Sequence, residues 1–269
     1  MEKIVLYILA GYVLFCLLLF AMQRSLLYMP DKQALSPKQA ITQGLRHWPE
    51  EKEYRGFIAS PEPDKPAGTV LLFHGNAGSA WHRTFYTTAL SRHNFRVILA
   101  EYPGYGGRRG KISETTLVED ALQSIRLAHE SYGGPLYLWG ESLGCGVVAA
   151  ALKKTDIPVK GAVLFLPWDS LPDLAQSHYW FLPARLLAKD RYNSMENLKN
   201  FEGRVAVLLA GEDEIIPIKH GKRLYQSLGM EKKLWIFDGA RHNAMPVSPN
   251  LPWWKEVMDF VSAQDLDLE

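Results

Sequence analysis

Cysteine is almost missing from this chain. Its two copies in 269 residues, Cys16 inside an apolar run and Cys145 beside a glycine-rich turn, make neither a disulfide framework nor a thiolate metal site. A surplus of one charge is missing too. With 30 Lys and Arg against 29 Asp and Glu the formal net charge is +1, so the basic excess that phosphate-backbone binding requires is absent and nucleic acid is not an expected partner. Metal-ligand spacing is lacking as well: His82, His93, His129, His178 and His220 are scattered with no cysteine or carboxylate at ligand spacing, and no H-E-x-x-H occurs. Neither a repeat of roughly 20 to 50 residues nor a low-complexity block is found. Beyond about residue 50 no apolar run is long enough to cross a bilayer. What is present, 47% hydrophobic and 22% charged residues, suits one folded α/β unit with a sizeable core.

One long apolar run stands at the start. Ile4 to Met22 holds no charge, and at 1.5 Å per residue it reaches roughly 28 Å, close to the hydrocarbon thickness. A cleaved signal peptide is the rival reading, but its apolar stretch is shorter and ends in a small-x-small site, whereas this run ends Phe20-Ala21-Met22-Gln23-Arg24. The expectation is an uncleaved single-pass anchor over residues 1–23, followed by one folded domain over 24–269. Phe15 before Cys16 does not suit a lipoprotein site. Lys3 and the amino group stand on one side of the run and Arg24, Lys32 and Lys38 on the other; the balance leans to a cytoplasmic domain and leaves the side undetermined. Leu26, Leu27 and Tyr28 suit either the headgroup zone or a place under the domain.

The remaining chain alternates. Short apolar runs, Thr69 to Phe73, Arg96 to Ala100, Leu136 to Trp139, Ala162 to Phe165, Val205 to Leu209 and Leu234 to Phe237, are separated by segments with helical spacing such as Ser113 to Ser131 and Lys219 to Leu228. Runs apolar on both faces with helices between them predict a doubly wound α/β fold, a mainly parallel sheet flanked by helices. Ligands bind such sheets beyond the carboxyl ends of strands.

At one such end Gly140-Glu141-Ser142-Leu143-Gly144 follows Leu136 to Trp139 and leads into the small, apolar Cys145 to Leu152. A G-x-S-x-G between a buried strand and a helix sets the serine hydroxyl on a strained turn, with glycines where a Cβ would clash. A serine hydroxyl needs a base, and the base a third group that fixes its tautomer. His242 is the only histidine after the run Leu234 to Phe237, and Asp213 follows Val205 to Leu209 in Gly211-Glu212-Asp213. The order Ser142, Asp213, His242, each after a successive strand, is that of one serine-hydrolase architecture. Asp169, also after a strand, is the alternative acid. Cys145 reads as a small core residue, and Gly104 to Gly110 matches neither phosphate-loop pattern.

Together these motifs resemble the α/β-hydrolases, and more narrowly the membrane-anchored Bem46/ABHD13-type group, from about residue 24 onward. Besides GESLG, Leu72-Phe73-His74-Gly75-Asn76-Ala77-Gly78 is similar to that group's oxyanion turn, Glu101-Tyr102-Pro103-Gly104-Tyr105-Gly106 to its turn after the next strand, and Gly211-Glu212-Asp213 to its acid loop. The resemblance implies a cofactor-free serine hydrolase for acyl esters or thioesters and leaves the acyl group open.

A tetrahedral intermediate needs two aimed NH donors. Leu143, at a helix start, and Asn76 are the expected pair, with Ala77 the alternative to Asn76 and His74 orienting the loop. Residues 166–204 are the expected small cap. Tyr102, Tyr105, Trp168, Trp180 and Phe181 are the expected substrate-pocket residues, Arg108, Arg109 and Lys111 a solvated turn, and Trp253 and Trp254 sheet-packing residues. The substrate is expected to be a small-molecule or lipid acyl ester, or an acylated protein. Within enzymes the alternative is a lysophospholipase or monoacylglycerol lipase, and outside them a non-catalytic membrane-anchored scaffold.

Overall fold

The apolar runs form six neighbouring strands of an eight-stranded sheet in the computed structural model, which describes residues 1–263; residues 264–269 of the expected domain lie outside the described residues. The strands are β1 (Leu45–Trp48), β2 (Gly56–Ala59), β3 (Gly68–Phe73), β4 (Phe95–Ala100), β5 (Leu136–Glu141), β6 (Gly161–Phe165), β7 (Arg204–Ala210) and β8 (Lys232–Phe237). In space the order is β8-β7-β6-β5-β3-β4-β2-β1. The six strands from β3 onward are parallel, whereas β2 runs antiparallel to both β1 and β4. These first two strands were not among the expected runs. Each is four residues long and they flank the polar stretch Pro49 to Arg55, so neither stands out as a buried run.

Helices cover both faces, as a two-faced parallel sheet demands. On one face lie α3 (Glu114–Tyr132), α4 (Leu143–Lys154) and α5 (Ile218–Ser227), and on the other α2 (Thr84–Ser91) and α6 (Trp253–Ser262). Helix α3 starts where Ser113 Oγ accepts the Thr116 NH and stops at Gly133, whose φ is 54°. Trp253 and Trp254 of α6 stack at 3.8 Å, and Trp254 packs against Trp139 of β5. Both tryptophans bury against the sheet as expected.

Before the sheet, α1 runs from Glu2 to Leu27, four residues past the expected anchor boundary. It is long and apolar enough to cross a membrane. Leu6, Ile8, Leu9, Leu14 and Leu17 are all exposed, so the helix is not a core element of the domain. The chain then turns inward: Tyr28 is buried, and Met29–Pro30 pairs in parallel with Ala77–Gly78. Between β6 and β7 the chain makes an excursion that carries three short helices, Leu171–His178, Ala184–Leu187 and Ser194–Asn197.

Candidate active site

The turn at Ser142 is the most constrained point of the site. Ser142 sits at φ 52° and ψ −111° between β5 and α4, a conformation that costs on the order of 1–3 kcal/mol and persists because the surroundings hold it. Its NH donates to Phe165 O at 2.8 Å. A Cβ on Gly140 would come within 2.6 Å of the Cys145 backbone nitrogen, and one on Gly144 would overlap Phe73 O. Both flanking glycines are therefore required by backbone approach, which leaves the serine hydroxyl at the carboxyl end of β5.

The loops after β7 and β8 bring in its partners. Gly211 NH donates to Phe237 O and Glu212 NH to Ala240 O, both at 2.9 Å, tying the loops together. His242 Nε2 lies 3.1 Å from Ser142 Oγ, and His242 Nδ1 lies 2.8 Å from Asp213 Oδ2. The other Asp213 oxygen accepts the NH groups of Ile215 and Ile216 at 2.9 and 2.6 Å. With those two donors fixing the carboxylate, the imidazole is held with Nδ1–H toward Asp213 and a free lone pair toward the serine. The three side chains are mostly shielded from water.

A braced loop faces the serine. Leu143 is the first residue of α4, so its NH has no partner within the helix. Across from it, His74 is fully buried, with Nε2 3.0 Å from Glu101 Oε1 and Nδ1 2.8 Å from Gly75 O. Glu101 also accepts the Ala80 NH at 3.0 Å. Asn76 donates its side-chain amide to Leu27 O at 2.8 Å. Beneath the loop Glu141 pairs with Arg83 at 2.7 Å and accepts the Tyr86 hydroxyl at 3.0 Å. Burial acts to raise the Glu141 carboxyl, but Arg83 and the Tyr86 hydroxyl outweigh it and hold the group below the usual carboxylate range. A Cβ on Gly75 would meet Glu141 Oε1 at 3.1 Å and Ser142 Cβ at 3.6 Å, so this ion pair lies directly behind the turn from His74 to Gly78.

Glu101, Arg83 and Glu141 were not singled out from the sequence. Glu101 and Glu141 each end an apolar strand run, which is the available signal; Arg83 carries none.

The expected pocket residues divide differently. Tyr102 and Tyr105 are buried, and their hydroxyls donate to His74 O and Asn76 O, both at 2.9 Å, so they brace the turn from below. Trp168 is buried and donates to Tyr192 O at 3.3 Å. Trp180 and Phe181 are 81% and 49% exposed, and the Phe181 carbonyl accepts the Tyr12 hydroxyl of α1. The glycine turn also lies elsewhere. Gly107, Arg108 and Arg109 border a cavity of about 650 Å³ whose lining includes none of Ser142, Asp213 and His242. Arg108 is committed to Asp120 by two 2.7 Å bonds.

Asp169 does not reach His242. It faces His220 Nδ1 at 2.8 Å and Arg223 at 3.0 Å, while His220 Nε2 meets Ser177 Oγ at 3.0 Å. That second Ser-His-Asp array is a strut: Ser177 sits inside a helix and donates to Leu174 O at 2.8 Å, with no elbow to expose it. Cys145 Sγ donates to Gly140 O and Phe165 O, and burial pushes its thiol well up, which leaves it inert.

Strand order, elbow and loop placement define an α/β-hydrolase, and the chain belongs to that family: residues 68–200 match the model described as the alpha/beta hydrolase fold. Similar curated proteins include the uncharacterized protein Rv2307c of Mycobacterium tuberculosis, 30% identical across 89% of this chain and 86% of that protein. The lysophosphatidylserine lipase ABHD12 of Danio rerio is 29% identical across 81% of this chain. The chain spans 63% of that lipase's length. Among solved structures, the Pyrococcus furiosus esterase Pf2001 superposes with a TM-score of 0.66 at 15% identity, over 86% of this chain and 97% of the esterase. The ferulic acid complex of Est1E from Butyrivibrio proteoclasticus gives 0.64 at 15% identity, over 77% and 95%. At such identities the likeness concerns the fold.

Proposed function

We propose that the protein is a membrane-anchored serine hydrolase that cleaves acyl esters or thioesters through Ser142, His242 and Asp213. The observation that carries this reading is the unbroken chain Ser142 Oγ, His242 Nε2, His242 Nδ1, Asp213 Oδ2, at 3.1 and 2.8 Å, set on a strained elbow. His242 takes the hydroxyl proton as Ser142 Oγ bonds to the acyl carbon, and Asp213 stabilises the resulting imidazolium. The carbonyl electron pair moves to oxygen, where the NH groups of Leu143 and Asn76, or Ala77 in place of Asn76, receive the charge. One such donor is worth about 10²–10³ in rate. Collapse expels the alkoxide or thiolate, protonated by His242, and leaves an acyl-serine. A water deprotonated by His242 then releases the carboxylic acid and restores the serine. No cofactor enters these steps.

Residues 166–204 form the cap in this reading and α1 the anchor. A lipid substrate is favoured over a freely soluble one. Two features support this, the apolar helix beside the domain and the relatedness to a lysophosphatidylserine lipase; a lysophospholipid or monoacylglycerol is the specific form we favour. Hydrolysis of p-nitrophenyl esters from acetyl to palmitoyl by the detergent-solubilised chain tests the reading. A long-chain preference that vanishes in Ser142→Ala supports it. A short-chain preference removes the lipid substrate, and equal activity in the variant removes the triad.

A further inference from the structure

The outward-facing aromatics between β6 and β7 lie against the proposed anchor. Between the first short helix of the cap and Ala188 the chain reads Tyr179-Trp180-Phe181-Leu182-Pro183-Ala184-Arg185-Leu186-Leu187. Trp180 and Leu186 are 81% and 84% exposed, and Tyr179 and Phe181 about half. An apolar cluster of this kind, open to water, is costly unless something covers it.

Its contacts with α1 set its depth. Near the helix's domain end, Gln23 donates to Leu187 O at 3.0 Å and accepts the Lys189 NH at 2.7 Å, while Arg24 grips Asp190 through bonds of 2.9 and 2.8 Å. Much farther along, the Tyr12 hydroxyl donates to Phe181 O at 2.9 Å. Tyr12 and Arg24 are twelve residues apart in one helix, about 18 Å along its axis. The polar contacts thus gather at one level, and the aromatic tip lies beside the middle of the apolar run.

The carbonyls of the tip find their hydrogen-bond partners within the protein. The Gln176 side-chain amide lies 3.3, 3.4 and 2.8 Å from the carbonyls of Tyr179, Trp180 and Leu182, and the Leu182 NH also donates to Tyr179 O. Phe181 O is taken by Tyr12. Four successive carbonyls are therefore satisfied within the protein while the side chains of Tyr179, Trp180 and Phe181 point out and Leu182 is buried. Water would supply those partners to an ordinary surface loop, whereas hydrocarbon would not. The Tyr12 hydroxyl likewise needs an acceptor if α1 spans a bilayer. Arg185, the one charge in the segment, is paired with Asp173 at 2.5 Å and has a long stem that lets its head reach the interface.

We infer that Tyr179–Leu187 inserts into the acyl region of the leaflet on the domain's side of the membrane, beside α1, so that the protein is held in the bilayer by a helix and a cap loop together. The inference rests on the reading of α1 as a membrane anchor. It also deepens the proposed function, because the cap meets the active-site loops just before the inserted segment: His178 is bonded to Ile215 O at 2.8 Å, and the Ile215 NH holds Asp213. An amphiphile lying in that leaflet, acyl chain in hydrocarbon and ester at the headgroup level, is the substrate class this placement serves.

The test uses full-length protein in phosphatidylcholine vesicles with and without bromine on the acyl chains. Trp180 is the only exposed tryptophan of the eight in the chain. Brominated lipid should lower the emission of the wild type, and Trp180→Phe, checked for folding by circular dichroism, should abolish that decrease. Equal quenching in both proteins, or none in either, overturns the inference, as does shielding of Trp180 that depends on protein dilution, which would mean that a second copy covers it. Extraction by alkaline carbonate removes the anchor reading and this inference with it; retention without Trp180 quenching removes the insertion alone. Leu186→Glu should slow turnover of a long-chain ester dispersed in vesicles about tenfold or more while leaving p-nitrophenyl acetate unchanged. If the wild type hydrolyses neither ester, the hydrolase reading falls, and the quenching still decides the insertion.

Discussion

The side-chain amide of Asn76 donates to the carbonyl of Leu27 at 2.8 Å, joining the loop that faces Ser142 to the last residue of α1. The Met29 NH returns the link by donating to Asn76 O at 3.0 Å. The helix proposed as an anchor therefore also holds one wall of the site. Asn76→Ala keeps the backbone NH and loses the tie, so kcat should fall by about tenfold with KM little changed, as expected when a transition-state donor is loosened. Steady-state kinetics on a soluble p-nitrophenyl ester measures this, and an unchanged kcat would show that the tie does not position the donor.

The choice of acid is equally open to test. Asp213→Asn should lower kcat by up to about 10⁴, because the imidazole loses its tautomer partner. Asp169→Asn should leave the chemistry within a few-fold and lower thermal stability, since Asp169 serves His220 and Arg223. The reverse pattern would transfer the catalytic role.

Glu141 ties acid sensitivity to the oxyanion turn. Its carboxyl titrates below the unfolded value of about 4.3 because Arg83 and Tyr86 favour the charged form over the opposing effect of burial. Its contribution to stability is therefore present above that pH and is lost as pH falls through the lower folded value. Glu141→Gln strands Arg83 and should cost about 3 kcal/mol at pH 7. The gap in Tm between variant and wild type, followed by circular dichroism, should narrow as pH falls below the unfolded value of about 4.3. A gap independent of pH would contradict the ion pair's role.

Gly144→Ala tests the elbow without touching a reactive group. The new Cβ would overlap Phe73 O, a backbone atom that cannot swing aside. A loss of about 3 kcal/mol or more is expected by denaturant unfolding.

Much of this was legible in the sequence, for reasons that also mark where legibility ends. The runs at β3 to β7 are apolar on both sides because helices cover both faces; Ser142 and Asp213 were readable because each follows such a run, and His242 because it is the only histidine after the partly exposed edge run at β8. β1 and β2 were missed because four residues beside a polar stretch carry too little pattern. Glu101 and Arg83 depend on partners brought close only by the tertiary fold. Trp180 and Phe181 show a different limit: apolar composition predicts that a side chain avoids water, yet the structure leaves these two 81% and 49% exposed.

The central claim is that Ser142 is a nucleophile activated by His242. The most direct measurement is reaction of the folded full-length protein with a fluorophosphonate, followed by mass spectrometry of the peptide that contains Gly140 to Gly144. The account predicts an adduct on Ser142 that is absent in Ser142→Ala and strongly slowed in His242→Ala; an adduct on another residue, or labelling that persists in Ser142→Ala, would contradict it.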